Sequence, residues 1–231
     1  MRLTRSVAAL AATLTLTAIA TANAQGPRPF RDSWFWGLYG GMTSYTAANT
    51  VDATAPGSSS LAAQIGGDWL ITRKTGGLYV SFAQAFLTSQ GAVENGPTSA
   101  DTGFRFVDVK NLRRVNVAAV VFPGDYVRLH PYVGFGIAFD YLGAAQPQLQ
   151  PTDTQRQEDF ALSAVSQVKA ALGPLFIGGA QYRVLNAVSA FGQFTASAMS
   201  KDFLLSNGHP IAIGFQAGLR YNIGSSIERD Y

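Results

Sequence analysis

Four charged residues stand in segments that otherwise carry apolar, glycine and alanine side chains, and they are the first candidates for chemistry. Asp68 and Asp140 are acidic, whereas Arg114 and Arg220 are basic. Charged side chains removed from water must be paired, because an unpaired buried charge costs several kcal/mol. We therefore predict a salt-bridged polar network in the interior; a narrow polar path for ions or small solutes is the functional alternative. Four glutamines are expected in the same interior, namely Gln64, Gln181, Gln193 and Gln216.

A second set of reactive residue types lies within residues 202–209. Asp202, Ser206 and His209 are the acid, hydroxyl and imidazole that nucleophilic acyl chemistry uses. A serine is activated only when the imidazole is within hydrogen-bond reach and an acid orients it. Matching residue types in a loop do not fix that geometry. The sequence therefore favours a protein that is not an enzyme, with a lipid-modifying activity as the less favoured alternative.

The composition excludes several other kinds of site. The 231 residues include no Cys, which excludes disulfides, thiolate zinc sites and cysteine nucleophiles. Gly134 and Gly136 form a G-x-G inside a strand-like segment, and neither H-E-x-x-H nor an acidic calcium loop occurs, so no cofactor or metal is predicted. Charged residues make up only 13 % of the chain, with 17 Lys+Arg against 14 Asp+Glu. No nucleic-acid partner is predicted, because phosphate neutralisation needs a concentrated basic surface.

The elements that must position these residues follow a leader at residues 1–24. Two arginines precede an apolar stretch there, and residues 22–24 read Ala-Asn-Ala, a small-x-small cleavage site. This order predicts a signal peptide cleaved after Ala24, and an exported chain, residues 25–231, that forms one domain. A transmembrane anchor is the alternative, but it needs about 20 strongly apolar residues, and four threonines interrupt this stretch.

The exported part alternates between large apolar and small or polar residues with a period of two, which indicates β-strands. From Ile211 to Ile223 the odd positions carry Ile, Phe, Ala, Leu and Tyr, whereas the even positions carry Ala, Gly, Gln, Arg and Asn. The water-facing side of a soluble sandwich has no reason to lack bulk and charge, but a narrow lumen has little room. We therefore predict an all-β fold, an eight-stranded antiparallel transmembrane β-barrel of up-and-down meander order. A soluble β-sandwich is the alternative.

Eight strands fit the pattern. Their predicted bounds are 34–46, 61–72, 78–88, 104–122, 127–142, 160–184, 187–199 and 211–223. Short and long connections alternate between them, as in outer-membrane barrels, and the even number places both termini on the periplasmic side. Residues 158–172 also fit a helix, because apolar residues recur every four positions from Phe160 to Leu172. We favour a strand that extends beyond the membrane and keep a helix in the third long loop as the alternative.

Aromatic residues cluster at the predicted periplasmic ends of the strands. Amphipathic rings favour the two membrane interfaces, so an aromatic girdle is predicted there. Its predicted members are Trp34, Trp36, Trp69, Phe122 and Tyr221. His130 lies near the periplasmic start of the fifth predicted strand and is expected at the same interface.

Two short stretches resemble a known class of proteins. The first resembles the terminal-strand assembly signal of outer-membrane β-barrels and consists of Gln216, Gly218, Tyr221 and Ile223. The second, LHPYVGFG at 129–136, looks like the "RPYVGxG" strand of small barrels related to the OmpA transmembrane domain, OmpX and OmpW. The resemblance implies that the barrel-assembly machinery reads Tyr221 and its neighbours. One departure is that residues 224–231 follow the signal, which usually ends the chain.

The pattern and the resemblance together predict an integral protein of the outer membrane, in contact with outer-membrane lipid. A structural or surface-interaction role is expected. A narrow channel or a conduit for small hydrophobic solutes, as in OmpW-like proteins, is the alternative. The sequence indicates neither a ligand nor an external partner.

Overall fold

The computed structural model describes residues 29–49, 57–94, 96, 103–124, 128–207 and 209–225. The signal peptide predicted at residues 1–24 and its cleavage site lie outside the described residues. Within these ranges eight antiparallel strands close into a barrel in chain order, which confirms the predicted fold class. The strands are β1 (Ser33–Ala47), β2 (Ser58–Thr72), β3 (Gly76–Glu94), β4 (Phe104–Val121), β5 (Leu129–Pro147), β6 (Ala170–Arg183), β7 (Val188–Ala198) and β8 (Ile211–Ser225).

The side-chain alternation runs in the sense expected of a membrane barrel. In β5, Phe135 is 66 % exposed and Ile137 is 52 % exposed, whereas Ala138 and Asp140 are each 1 % exposed. The apolar bulk therefore lies outside and the charges lie inside, the reverse of the arrangement in a soluble sandwich.

Three neighbouring strands extend far beyond the others. β3, β4 and β5 contain 19, 18 and 19 residues, whereas β7 contains 11. β3 and β5 were predicted to end at residues 88 and 142, because their apolar alternation fades there into small and polar residues. The extended parts pair with β4, so that backbone pairing maintains the strands where the hydrophobic pattern has stopped.

The strand predicted at 160–184 is wrong in its first part, because residues 155–168 form a helix, α1 (Gln155–Val168). The Thr154 hydroxyl accepts a hydrogen bond from the backbone N–H of Gln157, and the Gln157 side chain accepts one from the backbone N–H of Thr154. This capping box satisfies two N–H groups that a helix start otherwise leaves without partners. β6 consequently begins only at Ala170. In the described part of the chain, no helix has the length and apolar character needed to cross a membrane.

α1 and the segment after β7 close the loop end of the barrel. Val165 of α1 is buried in one apolar cluster with Phe203, Leu204 and Leu205. Inward residues of the extended strands complete the cluster, among them Leu87, Val109, Leu112 and Leu142. We name this whole cluster the outer plug.

The opposite end, where the described part of the chain begins and ends, is closed by aromatic rings. The Phe30 ring stacks on the His130 imidazole with 3.8 Å between centroids. It meets the Phe122 ring edge-on at 4.9 Å and the Phe35 ring at 5.4 Å. We name these four residues the terminal plug. Asn222 Nδ2 donates to the Pro29 carbonyl at 2.9 Å, which ties the entering segment to β8.

Candidate functional site: the polar interior

A salt bridge between β8 and β2 lies inside the barrel. Arg220 Nη2 lies 2.7 Å from Asp68 Oδ2, Arg220 Nε donates to both carboxylate oxygens, and both side chains are fully buried. The two strands are not neighbours, because β1 lies between them, and Gly37 of β1 pairs with both residues. A Cβ atom at position 37 would lie 2.3 Å from Asp68 Oδ1 and 2.8 Å from Arg220 Cγ. The salt bridge therefore crosses β1 over a residue that has no side chain.

Gln193 of β7 connects this salt bridge to more distant strands. Its Oε1 accepts hydrogen bonds from the Tyr132 hydroxyl at 2.7 Å and from Arg220 Nη2 at 3.2 Å. Its Nε2 donates to the Tyr79 hydroxyl at 2.7 Å and to Gln216 Oε1. One glutamine thus uses both ends of its amide to join four other side chains, and its donors and acceptor are satisfied at a site that excludes water.

Gln181 and three aromatic rings complete the surroundings of the Arg220 guanidinium. Arg220 Nη1 donates to Gln181 Oε1 at 3.1 Å. The guanidinium carbon lies 3.8 Å from the centroid of the Phe191 ring, 5.3 Å from that of Tyr132 and 5.8 Å from that of Tyr79. Cations over aromatic faces at these distances are attracted by the ring quadrupole, and more strongly where water is excluded. The Arg220 cation of β8 is therefore held by a carboxylate, amides and rings contributed by five other strands: β2, β3, β5, β6 and β7.

A second ion pair lies between the adjacent strands β4 and β5. Arg114 Nε donates to Asp140 Oδ1 at 2.7 Å and Arg114 Nη2 donates to Oδ2 at 3.1 Å, a bidentate arrangement. Both side chains are buried, and the two residues are direct partners in the strand register. Arg114 Nη1 also donates to the Thr43 hydroxyl of β1 at 3.3 Å, across the lumen. Charge-assisted bidentate pairs are among the stronger hydrogen-bonded contacts in proteins.

The structure brings the predicted interior residues together in two groups. Asp68, Arg220, Gln181, Gln193 and Gln216 share one network, and Arg114 pairs with Asp140 in the other. Gln64 is also buried, and its side-chain amide donates to the Met42 carbonyl at 3.3 Å.

Sequence reasoning missed the aromatic members of the network and the glycine beneath it. Tyr79, Tyr132 and Phe191 are buried, and each follows the inward parity of its strand. That parity was readable from the outward Val133 and Phe135, which leave Tyr132 facing in. The need for glycine at position 37 was not readable, because it depends on which strands meet across β1.

Two aromatic residues expected at a membrane interface lie inside the barrel mouth. Phe122 and His130 both belong to the terminal plug, and His130 is 7 % exposed. Phe122 continues the inward parity of Ala118 and Val120, so its position at the strand end did not place it outside.

The other predicted girdle residues lie on the outer surface. Trp34 and Trp36 are each 41 % exposed and Trp69 is 51 % exposed. Trp36 pairs with Trp69 on one side and with Tyr221 on the other, so that aromatic residues from three adjacent strands form a continuous group.

The assembly-signal residues occupy both faces of β8. Gln216 is buried inside the barrel and Ile223 is 55 % exposed. A Cβ atom at Gly218 would lie 2.1 Å from the Leu38 carbonyl oxygen, so close strand packing already requires glycine there.

The loop residues with the types needed for acyl chemistry do not form a charge relay. The Ser206 hydroxyl is buried and donates to the backbone carbonyls of Lys201 and Phe203. His209 is exposed and contacts Ser206 through its backbone N–H. The hydroxyl thus stabilises the turn that carries the outer plug. Over the described ranges, no three acidic or histidine side chains converge to hold a metal ion.

An ion pair at the loop end of the barrel holds the start of α1. Asp153 accepts hydrogen bonds from both terminal nitrogens of Arg105 and from the Gln150 backbone N–H, while Arg105 also donates to the Gln148 carbonyl at 3.0 Å. The hydrogen bonds from Arg105, followed by that from Gln150, lower the pKa of Asp153 to about 2. The same contact raises the pKa of Arg105. Both groups therefore stay charged at neutral pH and fix the loop next to Thr154.

Comparison with known proteins finds resemblance only among solved structures. No protein-family model and no curated protein matches the chain. The N-terminal β-barrel domain of OprF from Pseudomonas aeruginosa is 12 % identical with a TM-score of 0.45, over 84 % of this chain and 98 % of that one. Neisserial surface protein A, NspA, is 11 % identical with a TM-score of 0.47, over 82 % and 96 %. The outer membrane protein OprG from Pseudomonas aeruginosa is 11 % identical with a TM-score of 0.44, over 84 % and 98 %. None of the three assigns a ligand or an activity to this chain.

Proposed function

We propose that this chain is an integral outer-membrane protein whose interior is sealed, and that it serves a structural or surface-interaction role and not an enzymatic one. The signal peptide predicted from the sequence supports export. The closed barrel supports membrane insertion, because closure pairs the backbone of every strand and leaves no open edge in lipid.

The height of the apolar band on the outer surface supports the membrane location. On β5 the outward side chains are apolar from Leu129 to Phe139, and Tyr141 follows. Ten residue steps of about 3.3 Å on a strand tilted by about 40° rise about 25 Å, the height of the apolar band in barrels of this class. The group of Trp34, Trp36 and Trp69 lies at the terminal end of this band, as an interfacial girdle does.

The side chains that cross the lumen are the observation that best supports a sealed interior. The Arg220 network joins six strands across the lumen, and the terminal plug and the outer plug lie at its two ends. An ion path needs a continuous polar passage that is wide enough for water. Here the charged side chains that line the lumen form salt bridges with each other. The channel and solute-conduit alternatives predicted from the sequence are therefore less well supported.

Two partners belong to this proposal. Outer-membrane lipid would contact the apolar band, and the barrel-assembly machinery would read β8, in which Tyr221 and Ile223 face outward. The proposal includes no nucleic-acid partner and no cofactor.

Electrophoresis and conductance test the proposal together. Detergent-extracted protein should migrate faster before heating than after it, because a folded barrel resists unfolding by the detergent. In planar bilayers the wild-type protein should give no conductance steps. Arg220→Ala should lower the melting temperature strongly without conductance; unchanged stability with new conductance would instead support a channel. Partition into the aqueous phase without detergent would refute the membrane location.

The direction of insertion is tested by single cysteines, since the chain has none of its own. Gln148→Cys lies beyond the extended strands, and Lys74→Cys lies in the short turn between β2 and β3. A membrane-impermeant thiol reagent applied to intact cells should label only the first variant. Labelling of Lys74→Cys alone would reverse the orientation and remove the surface role.

A further inference from the structure

We infer that a group of cations on the outer surface of the barrel binds the phosphate groups of anionic lipid at the loop-side edge of the apolar band. The group consists of Lys110, Arg113 and Lys169 around the Tyr141 ring, and we name it the cationic rim. The inference rests on the membrane location proposed above and adds a ligand class to it.

The cationic rim is assembled across three adjacent strands. Arg113 of β4 pairs in register with Tyr141 of β5, and Tyr141 pairs with Ala170 of β6. Lys169 precedes Ala170, and its Nζ lies 5.8 Å from the centroid of the Tyr141 ring. The ring thus orients one cation while a second lies on the neighbouring strand, so both face the same lipid-facing sector.

A backbone irregularity brings Lys110 to the same face. Lys110 and Arg113 are both exposed, although residues three apart on a regular strand point to opposite faces. Asn111 between them has φ +57°, and the register between β3 and β4 shifts at this level. Such a bulge redirects a side chain, and here it places a second cation of β4 outside.

The cationic rim is not neutralised by salt bridges within the described part of the chain. Across the described ranges, none of its three cations forms a salt bridge with a carboxylate. Asp140, beside Tyr141, faces inward and pairs with Arg114. Asp108, two residues beyond Lys110, accepts hydrogen bonds from the Gln90 and Gln148 side chains and interacts with Lys110 electrostatically without a salt bridge. Three cations and the one carboxylate of Asp108 give this part of the outer surface a net positive charge.

The position of the cationic rim at the end of the apolar band favours a lipid headgroup over a soluble anion as its ligand. Directly below it the outward residues are apolar and exposed, including Val115 on β4, Phe139 on β5 and Leu172 on β6. Cations at the end of an apolar band meet the phosphates of the adjacent leaflet, and each contributes to attraction of anionic lipid. The corresponding sector of β2 carries Ser58, Ser59 and Ser60 and no charge, so the cationic rim would hold lipid at one side of the barrel.

The test compares lipids that differ only in the headgroup. Folded protein in neutral detergent is mixed with phosphatidic acid or with phosphatidylcholine of the same acyl chains, and retained lipid is counted by native mass spectrometry. The triple variant Lys110→Ala, Arg113→Ala and Lys169→Ala should lose its preference for phosphatidic acid by about 10-fold or more. A control with the same charge change removes exposed cations elsewhere, namely Arg73→Ala, Lys74→Ala and Arg156→Ala, and should keep the preference.

Several outcomes overturn the inference, and each is distinct from failure of the membrane location. An unchanged preference in the triple variant, or an equal loss in the control, would show that overall charge and not the cationic rim attracts the lipid. Full displacement of phosphatidic acid by equimolar glycerol phosphate would show a site for soluble phosphate. Should the triple variant not fold, Arg113→Gln alone must still lower the preference. Absence of heat-modifiable migration in the wild type would instead refute the membrane location itself.

Discussion

Replacing Gly37 with alanine tests whether the buried salt bridge depends on the space above β1. The added Cβ would lie 2.3 Å from Asp68 Oδ1 and 2.8 Å from Arg220 Cγ, separations that real Cβ atoms do not adopt. At least one of these side chains must therefore move, which disrupts the contact between the carboxylate and the guanidinium in a fully buried site. Breaking a buried pair in this way costs about 3–5 kcal/mol of the free energy of unfolding. Reversible urea unfolding in lipid vesicles, followed by tryptophan fluorescence, measures this loss.

A matched substitution on the same barrel separates this effect from a general effect of alanine. Gly192 of β7 faces outward, and a Cβ there would have no heavy atom within 4 Å. Gly192→Ala should change the free energy of unfolding by less than about 1 kcal/mol. In an Asp68→Ala background, the added cost of Gly37→Ala should fall by about 1 kcal/mol or more, because the colliding carboxylate is gone. Equal effects of Gly37→Ala and Gly192→Ala would refute the reasoning.

Three other perturbations have defined outcomes. Asp140→Ala should cost about 3–5 kcal/mol because Arg114 stays buried without its partner, and the double variant with Arg114→Ala should cost less than the sum of the two single changes in urea unfolding. Since Arg105 lowers the folded-state pKa of Asp153 to about 2, and the unfolded value is about 3.9, its stabilisation is complete above about pH 4. The protection of α1 amides from hydrogen exchange should then fall between pH 4 and 2 in the wild type, and Asp153→Asn should abolish that pH dependence. Thr154→Ala should cost about 1 kcal/mol and expose the start of α1 to proteases; an unchanged cleavage rate would contradict the capping role.

The barrel could be predicted from the sequence because a period of two separates outward apolar residues from inward small or polar residues along most of each strand. β8 shows this directly: its Ile, Phe and Leu side chains are exposed, and Gln216 and Arg220 are buried. The same rule, followed one residue past β4, places Phe122 inside the mouth. Predicting it as part of the girdle ignored the parity and used only its place at the strand end.

The parts that could not be predicted depend on contacts between distant segments. Residues 158–172 satisfy a strand pattern and a helix pattern equally, and the choice is made by the capping box at Thr154 and by the apolar cluster that receives Val165. The parts of β3 and β5 that extend beyond residues 88 and 142 lack a strong apolar pattern and pair with β4. The pairing of Arg220 with Asp68 depends on the register between β8, β1 and β2. The sequence of each single strand does not determine that register.

The hydrogen bond from Asn222 to the Pro29 carbonyl joins residues 193 positions apart in the sequence. Phe30, which follows Pro29, stacks on His130, so the entering segment contacts both β8 and β5. A truncated chain that stops before β8 would leave the edges of β1 and β7 unpaired and would lack the hydrogen bond to Pro29. We therefore expect the segment at Pro29 and Phe30 to stabilise the closed ring, and a tag fused directly before Pro29 should delay maturation more than one fused after Ser225.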